Sequence, residues 1–252
     1  MAPSHDKLKV LLLQARNTQD IEVQEQTCFL ERCRLQDRQL DCINLGRQAP
    51  PSDYLSVLDG YDALLIGGAG EYSAMDDTSW MPFMLSLVQE AYNRKLPTFG
   101  SCWGHQIIAR ALGGEVQHDP EKAELGCHHI ELTEAGRHDE LFGTFPHSFM
   151  ANMGHHDRVT RLPEGAIELA DNRTQPNEAF RLKDRPMYGT QFHSELDAHR
   201  ERERLIRYRA FYMEELHSED ALQAIFHGLK ETTEVDHLMF DFLTLFAVEK
   251  SA

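Results

Sequence analysis

The sequence predicts an α/β fold, a three-layer sandwich in which helices cover both faces of a mostly parallel sheet. Short apolar runs, typical of buried strands, alternate with segments of helical spacing through the first half of the chain. Two of these runs end in glycine-rich turns, at residues 67–70 and 100–104. With 252 residues, of which 41% are hydrophobic and 26% charged, the chain can form one large domain with a sizeable core.

The first half of the chain contains four strand signals, each followed by a helix signal. Strands are expected at residues 8–13, 40–45, 63–66 and 96–99. Helices are expected at residues 21–35, 52–58 and 103–112, and between a cap at Thr78 or Ser79 and about Asn93.

The second half changes character at about residue 115. Short strands separated by Gly, Pro and Asn turns predict an antiparallel extension of the same domain up to about residue 191, and helices follow to the end. The sequence therefore predicts a catalytic domain at residues 1–197 and a helical C-terminal extension, residues 198–252, packed on it.

Charge and cysteine content exclude several classes of protein. The formal net charge of −16 repels nucleic acid and acidic membranes, so neither is an expected partner. The start of the chain has only a four-residue apolar run at 10–13, too short for a signal peptide or a membrane span. Five cysteines at irregular spacing, without a Cys-x-x-Cys pair, indicate reduced thiols and a cytoplasmic protein.

The strongest local signal for chemistry is Gly-Ser-Cys-Trp-Gly at residues 100–104, between an apolar strand and a helix. This is the pattern of a nucleophile elbow, in which glycines allow a tight turn that presents the nucleophile above the sheet. The elbow would aim Cys102 at the N-terminus of the following helix, whose partial positive charge favours a thiolate.

A base and its orienting group follow at the end of a later strand. His193 and Glu195 are separated by one residue, and in extended chain such side chains point to the same side. Cysteine, histidine and carboxylate are the three groups that acyl transfer through a thiol requires. The sequence therefore predicts a Cys102–His193–Glu195 site.

Four motifs occur in the order found in class I (triad) glutamine amidotransferases, and the chain resembles that family on all four. They are Gly-Gly-Ala-Gly at 67–70, Gly-Ser-Cys-Trp-Gly-His-Gln at 100–106, Met-Gly-His-His-Asp-Arg-Val at 153–159, and Gln-Phe-His-Ser-Glu at 191–195. The resemblance covers residues 8–196. It implies a flavodoxin-like, class I glutamine amidotransferase-like fold, with the triad at the carboxyl ends of the strands.

The resemblance also implies roles at the matching positions. Cys102 would be the nucleophile, His193 the base and Glu195 its orienting partner in the hydrolysis of a γ-glutamyl amide, through a thioester. The backbone N–H groups of Gly68 and Trp103 would form the oxyanion hole.

Substrate contacts would come from Gln106 and from the backbone near His155 and His156, which hold the glutamyl part of a small-molecule substrate. His156 replaces the Gly usual in the family and places a large side chain beside the substrate groove. Related stand-alone γ-glutamyl peptidases also carry a side chain there, so a hydrolase of larger γ-glutamyl compounds remains an alternative.

Partners and cofactors follow from what surrounds these motifs. No metal site is expected, because no His pair has the i, i+4 spacing of zinc ligands, and no cofactor is expected. No synthetase domain is recognised after Glu195, so either a separate synthetase subunit uses the ammonia or the enzyme acts alone. The alternatives from other classes are a catalytically silent binding module and a cysteine-type α/β hydrolase or chaperone-like relative.

Overall fold

The computed structural model describes residues 5–216 and 218–248. The strands in these residues are β1 (Val10–Ala15), β2 (Leu40–Asn44), β3 (Ala63–Ala69), β4 (Thr98–Ser101), β5 (Glu115–His118), β6 (Glu124–Leu132), β7 (Ser148–His155), β8 (Asp157–Arg161), β9 (Ala166–Asp171), β10 (Ala179–Leu182) and β11 (Met187–Thr190). The α-helices are α1 (Gln19–Cys33), α2 (Met81–Arg94), α3 (Trp103–Ala111), α4 (Glu134–Arg137), α5 (Ala198–Arg207), α6 (Arg209–Leu216), α7 (Glu219–Gly228) and α8 (Leu238–Phe246).

The main sheet has nine strands in the order β2-β1-β3-β4-β11-β10-β9-β6-β7. Strands β2, β1, β3, β4 and β11 run parallel to one another. The remaining strands continue the sheet in antiparallel pairs, and β5 pairs with β8 in a separate small sheet. The predicted parallel sheet with an antiparallel extension is therefore confirmed.

Helices cover both faces of the sheet, which gives three layers. In β1, Val10 and Leu12 belong to one apolar cluster while Leu11 and Leu13 belong to another, as the two-residue period of a strand requires. The first cluster includes residues of α1 and α8, and the second includes residues of α2 and α3. Because both faces are buried, the central strands β1 and β3 each begin with an unbroken apolar run, at residues 10–13 and 63–66.

The C-terminal helices contact two different parts of the protein. Phe242 of α8 packs edge-on against Phe99 of β4, with ring centroids 5.4 Å apart. Helices α5, α6 and α7 form a third apolar cluster with Ile21 of α1. No helix in the described ranges 5–216 and 218–248 combines the length and the apolar character needed to cross a membrane.

Two helix predictions are wrong: the helix at residues 52–58, and the cap expected at the start of α2. Residues 52–58 form only a single 3-10 turn, Ser56–Leu58, because Leu58 alone is buried there and a longer helix would have no apolar face to cover. Helix α2 begins at Met81 without a side-chain cap from Thr78 or Ser79. Its start is held instead by Trp80, which is buried and lies edge-on to Trp103, with ring centroids 6.0 Å apart.

Candidate active site

The carboxyl ends of three adjacent parallel strands bring the predicted site residues together. Strands β3, β4 and β11 are neighbours, with Ile66 opposite Gly100 and Ser101 opposite Thr190. Gly68 lies near the end of β3, and Cys102 and the segment 191–193 follow β4 and β11 directly. Sites of α/β proteins form at such strand ends.

Cys102 occupies a strained turn between β4 and α3. Its φ is 51° and its ψ −103°, a conformation that costs a non-glycine residue about 1–3 kcal/mol. Both flanking glycines are required, because a Cβ on Gly100 would lie 2.5 Å from backbone atoms of Gly104 and a Cβ on Gly104 would overlap the Ile66 carbonyl. The amide of Cys102 donates to the carbonyl oxygen of Thr190 at 2.7 Å, which fixes the turn against β11.

His193 lies between Cys102 and Glu195. The backbone N–H of His193 donates to the carbonyl of Asn152 at 2.9 Å, and its Nδ1 donates to Glu195 Oε1 at 2.6 Å. With Nδ1 committed to the carboxylate, Nε2 is the ring nitrogen left to interact with Cys102. All three side chains are nearly excluded from solvent.

The electrostatics of this trio favour a charged imidazole. Burial opposes the charge on His193, but interactions with Glu195 and then with Cys102 outweigh it and raise the pKa of His193 well above its ordinary value. Burial likewise opposes ionisation of Glu195, yet the adjacent His193 and Arg204 lower the pKa of Glu195 to about 2. The carboxylate is therefore ionised throughout the physiological pH range.

Two further groups hold Glu195, and the sequence analysis did not identify either. Ser101 Oγ donates to Glu195 Oε2 at 2.8 Å, and Arg204 Nη1 lies 3.5 Å from Glu195 Oε1. Ser101 precedes the nucleophile on β4, so its position inside the elbow motif was the available signal. Arg204 belongs to α5, in a segment whose alternating charges indicate a solvated surface, although its side chain is only 5% exposed.

Gly68 has a partner that its predicted role does not include. Its backbone N–H donates to Glu25 Oε1 at 3.1 Å, and the same oxygen accepts a hydrogen bond from Arg16 Nη2 at 2.5 Å. A Cβ on Gly68 would lie 2.9 Å from Arg16 Nη2 and 3.3 Å from His193 Cε1, so a side chain here would have to displace the guanidinium and press on the imidazole. To serve as an oxyanion donor, this amide must exchange Glu25 for the substrate. Trp103 is the first residue of α3, where backbone N–H groups have no partner within the helix.

Gln106 lies on the floor of the site and is connected to the cysteine. Its Nε2 donates to the carbonyl of Asp157 at 2.6 Å and to Gln191 Oε1 at 3.0 Å. Gln191 Nε2 in turn lies 3.7 Å from Cys102 Sγ. Gln191 is thus a donor to the sulfur; it lies within the Gln-Phe-His-Ser-Glu motif, but spacing alone did not indicate its contact.

His155 belongs to a buried polar cluster beneath the site. Its Nδ1 donates to the Asp157 carbonyl at 3.1 Å, and ligand atoms of His155, Glu124 and Glu178 all lie within 4.8 Å of one another. This set has the composition of a metal site. However, both oxygens of Glu124 already accept hydrogen bonds from amide side chains. Asn172 Nδ2 donates to Glu124 Oε1 at 2.9 Å, and Gln175 Nε2 donates to Glu124 Oε2.

The two carboxyl groups of this cluster have opposite pKa shifts. Burial and the neighbouring Glu124 charge raise the pKa of Glu178 well above its usual range. Burial opposes ionisation of Glu124, but hydrogen bonds from His155 and Glu178 lower its pKa to about 2. Opposite shifts of this kind are expected of neighbouring buried carboxyl groups, of which Glu124 is ionised and Glu178 protonated. The cluster joins three distant segments, so no local spacing in the sequence indicated it.

A cavity of about 240 Å³ opens above Cys102. Gln106, His155 and Asp157 form its buried floor, and Phe211 and Tyr212 of α6 form one wall. His156 packs under that wall, with its ring centroid 4.7 Å from that of Phe211 and 5.3 Å from that of Tyr212.

Comparison with known families assigns the chain to one of them. The model of the glutamine amidotransferase class-I family matches residues 34–212, more than half of the chain. The chain belongs to this family. The resemblance stated from the four motifs is therefore confirmed for this class I glutamine amidotransferase.

Three curated relatives illustrate the sequence similarity, and each is the same subunit of glutamine-hydrolysing GMP synthase. The one from Methanocaldococcus jannaschii is 40% identical over 111 residues, 44% of this chain and 56% of the relative. The one from Pyrococcus abyssi is 41% identical over 106 residues, 42% of this chain and 54% of the relative. The one from Archaeoglobus fulgidus is 32% identical over 152 residues, 60% of this chain and 74% of the relative. The chain thus spans about half the length of the first two relatives.

Solved structures share the fold. A glutamine amidotransferase from Thermotoga maritima aligns over 98% of this chain and 100% of its own, with a TM-score of 0.73 and 20% identity. A putative GMP synthase subunit from Thermoplasma acidophilum aligns over 85% of this chain and 100% of its own, with a TM-score of 0.61 and 22% identity. The predicted class I glutamine amidotransferase-like α/β fold is confirmed.

Proposed function

We propose that this protein hydrolyses the γ-carboxamide of glutamine, or of a closely related γ-glutamyl amide, to glutamate and ammonia or an amine. Cys102 is the nucleophile, and Glu195 orients His193. His193 takes the thiol proton as a base, gives it to the leaving nitrogen as an acid, and later takes a proton from water. The observation that supports this most is the placement of Cys102 and His193 at adjacent strand ends, with His193 Nδ1 hydrogen-bonded to Glu195, in a class I glutamine amidotransferase.

Each step of the reaction is accompanied by a proton transfer to or from His193. The Cys102 thiolate attacks the γ-carbonyl carbon, and a C–S bond forms as the carbonyl becomes an oxyanion. His193 gives its proton to the amide nitrogen, the C–N bond breaks, and ammonia leaves a γ-glutamyl thioester. Water, deprotonated by His193, then attacks the thioester and releases glutamate and the thiolate.

Stabilisation of the oxyanion is assigned to the amides of Gly68 and Trp103. Each such donor is worth about 10² to 10³ in rate. Since Glu25 accepts from the Gly68 amide at 3.1 Å before substrate binds, the oxyanion replaces a carboxylate of the same charge sign. The site is thereby already arranged for an anionic oxygen at that amide.

Substrate and partner complete the proposal. Gln106 and the backbone near His155 and His156 hold the glutamyl part, and the cavity above Cys102 admits it. The relatives are named as one subunit of a glutamine-hydrolysing GMP synthase, which suggests that the ammonia passes to a separate synthetase subunit.

A glutaminase assay on the purified chain tests this function. We expect ammonia and glutamate from glutamine in equal amounts, with no turnover by Cys102→Ala. Because alanine keeps the Cβ and removes only the sulfur, the turn should be retained and the variant should fold, which thermal unfolding checks. Equal turnover by Cys102→Ala and the wild type would contradict the proposal.

A second candidate is a stand-alone γ-glutamyl hydrolase acting on larger amides. The observation that favours it is the aromatic wall of His156, Phe211 and Tyr212 on the cavity. Replacing His156 with Gly removes the ring beneath this wall and should shift the kcat/KM ratio toward glutamine and away from a γ-glutamyl dipeptide. A ratio unchanged by His156→Gly would remove the support for this candidate.

A further inference from the structure

The lining of the cavity above Cys102 divides into a floor and a mouth. Cys102, Gln106, His155 and Asp157 are buried and form the floor. Glu71 and Phe211 are exposed, and Tyr72 is half-buried; these three side chains lie at the mouth. If the glutamyl part is held at the floor, the leaving group extends through the mouth toward solvent.

Apart from its histidines, the charged side chains of this lining have one sign. Among the described residues that line the cavity, the carboxylates are Glu71, Asp76 and Asp157, and there is no Lys or Arg. Asp157 is occupied, because His118 Nδ1 lies 2.9 Å from one oxygen and Ser73 Oγ donates to the other at 2.5 Å. Asp76 accepts from the Ser73 amide at 2.9 Å.

Glu71 differs from these two carboxylates. Within residues 5–216 and 218–248 it has no hydrogen bond and no ion pair, and it is exposed at the cavity mouth. A carboxylate in this position attracts a cation on the leaving group and repels an anion. The net charge of −16 acts in the same direction at longer range.

Aromatic rings at the mouth complement this charge. Phe211 is 36% exposed and is supported from beneath by the edge-on ring of His156. The ring of Tyr72 is held edge-on to Trp80, with centroids 5.3 Å apart. Exposed aromatic faces bind aliphatic stems and attract organic cations.

We propose that the site prefers γ-glutamyl amides whose leaving amine carries a second, cationic group on an aliphatic stem, as diamines and polyamines do. γ-Glutamyl amino acids, whose leaving group carries a carboxylate, are then poor substrates. This preference rests on the proposed hydrolysis through Cys102. The covalent steps are unchanged: the amine nitrogen takes the proton from His193 as its C–N bond breaks, and the second cationic group stays at the mouth.

The test is a series of three γ-glutamyl amides whose leaving groups each contain four carbon atoms. Their leaving groups are putrescine, butylamine and γ-aminobutyrate, which are cationic, neutral and anionic at the distal end, and glutamine is the reference. We expect kcat/KM to fall in that order, with about tenfold between the cationic and the anionic amide at low salt. Added salt should reduce this ratio, because the pairing with Glu71 is exposed to solvent.

Two variants locate the origin of the preference. Glu71→Gln should reduce the ratio of cationic to anionic substrate to about threefold or less, since one of the charges that set it is removed. The matched control is Asp77→Asn, a carboxylate near the mouth that does not line the cavity and whose side chain is 96% exposed. This control should leave the ratio as in the wild type.

The outcomes separate the two proposals. No hydrolysis of any of the four compounds would overturn the proposed function itself. Hydrolysis of glutamine alone, equal rates for the three amides, or a preference for the anionic amide would overturn only the leaving-group preference. A ratio that Glu71→Gln and Asp77→Asn change equally would also overturn it, because the charge at the mouth would then not be responsible.

Discussion

The guanidinium of Arg204 lies between two fully buried carboxylates, with Nη1 3.5 Å from Glu195 Oε1 and Nη2 3.8 Å from Glu25 Oε1. Its Nε also donates to Gln24 Oε1 at 3.0 Å. One side chain of α5 thus connects the group proposed to orient His193 with the carboxylate that accepts from the Gly68 amide. The C-terminal helices therefore contribute directly to the site.

Arg204→Gln should lower kcat about tenfold and leave KM nearly unchanged, since a hydrogen bond to a charged group contributes about 1.5–3 kcal/mol. Without the cation, the pKa of Glu195 is lowered less, so the carboxylate becomes protonated at a higher pH. The acid limb of the pH profile of kcat/KM should accordingly move to higher pH. Arg204→Lys should restore part of the loss.

The control is Arg207→Gln, on the same helix but at the surface beside Asp20, and it should have no effect on kcat. An equal effect of the two variants would show that Arg204 acts only through helix stability.

Glu195→Gln should keep substrate binding and reduce kcat by at least about a hundredfold, because an amide cannot stabilise the imidazolium or set its tautomer. Steady-state kinetics that separate kcat from KM check this. A raised KM with unchanged kcat would make Glu195 a substrate-binding residue instead.

Glu178→Gln should stabilise the protein at neutral pH. The pKa of Glu178 is raised in the folded protein, so above the ordinary value of 4.5 the unfolded chain releases a proton that the folded protein retains. Folding therefore costs more as the pH rises toward the folded pKa, and a neutral amide avoids this cost. The gain in Tm should be near zero at about pH 4.5 and increase toward pH 8.

The control for that series is Glu164→Gln, an exposed carboxylate whose replacement should give no pH-dependent gain. Elemental analysis of the wild type should find less than one metal ion per chain, because a protonated Glu178 is not a metal ligand. Stoichiometric metal that is lost in a destabilised Glu178→Gln variant would contradict a protonated Glu178 and assign a metal site to Glu124, His155 and Glu178.

Glu25→Ala should lower the free energy of unfolding by about 3–5 kcal/mol, because Arg16 would remain buried without its partner. Both side chains are at most 2% exposed. Asp20→Ala removes the partner of Arg207 in an exposed pair and should cost at most about 1 kcal/mol. Urea unfolding curves of the two variants give the comparison, and similar losses would mean that the buried pair contributes no more than a surface pair.

Local sequence was sufficient for the fold and for the centre of the site. An apolar strand ending in Gly-Ser-Cys-Trp-Gly and another ending before His193 dictate their own turns, and parallel strands bring their carboxyl ends to one edge. Arg204 and Glu25 could not be paired in this way, because their contact depends on how α5 packs on α1. The alternating charges of α5 indicate a surface, and only the tertiary structure shows which of its arginines is buried.

The central claim is that Cys102 is the nucleophile, and labelling with a glutamine analogue that carries an electrophile tests it most directly. Burial raises the pKa of the Cys28 and Cys42 thiols to about 12 and also raises the pKa of the Cys33 and Cys127 thiols, so these four should be unreactive. Peptide mapping should find one equivalent of label on Cys102, added more slowly when glutamine is present. Label on any of the other four cysteines, or none on Cys102, would contradict the account.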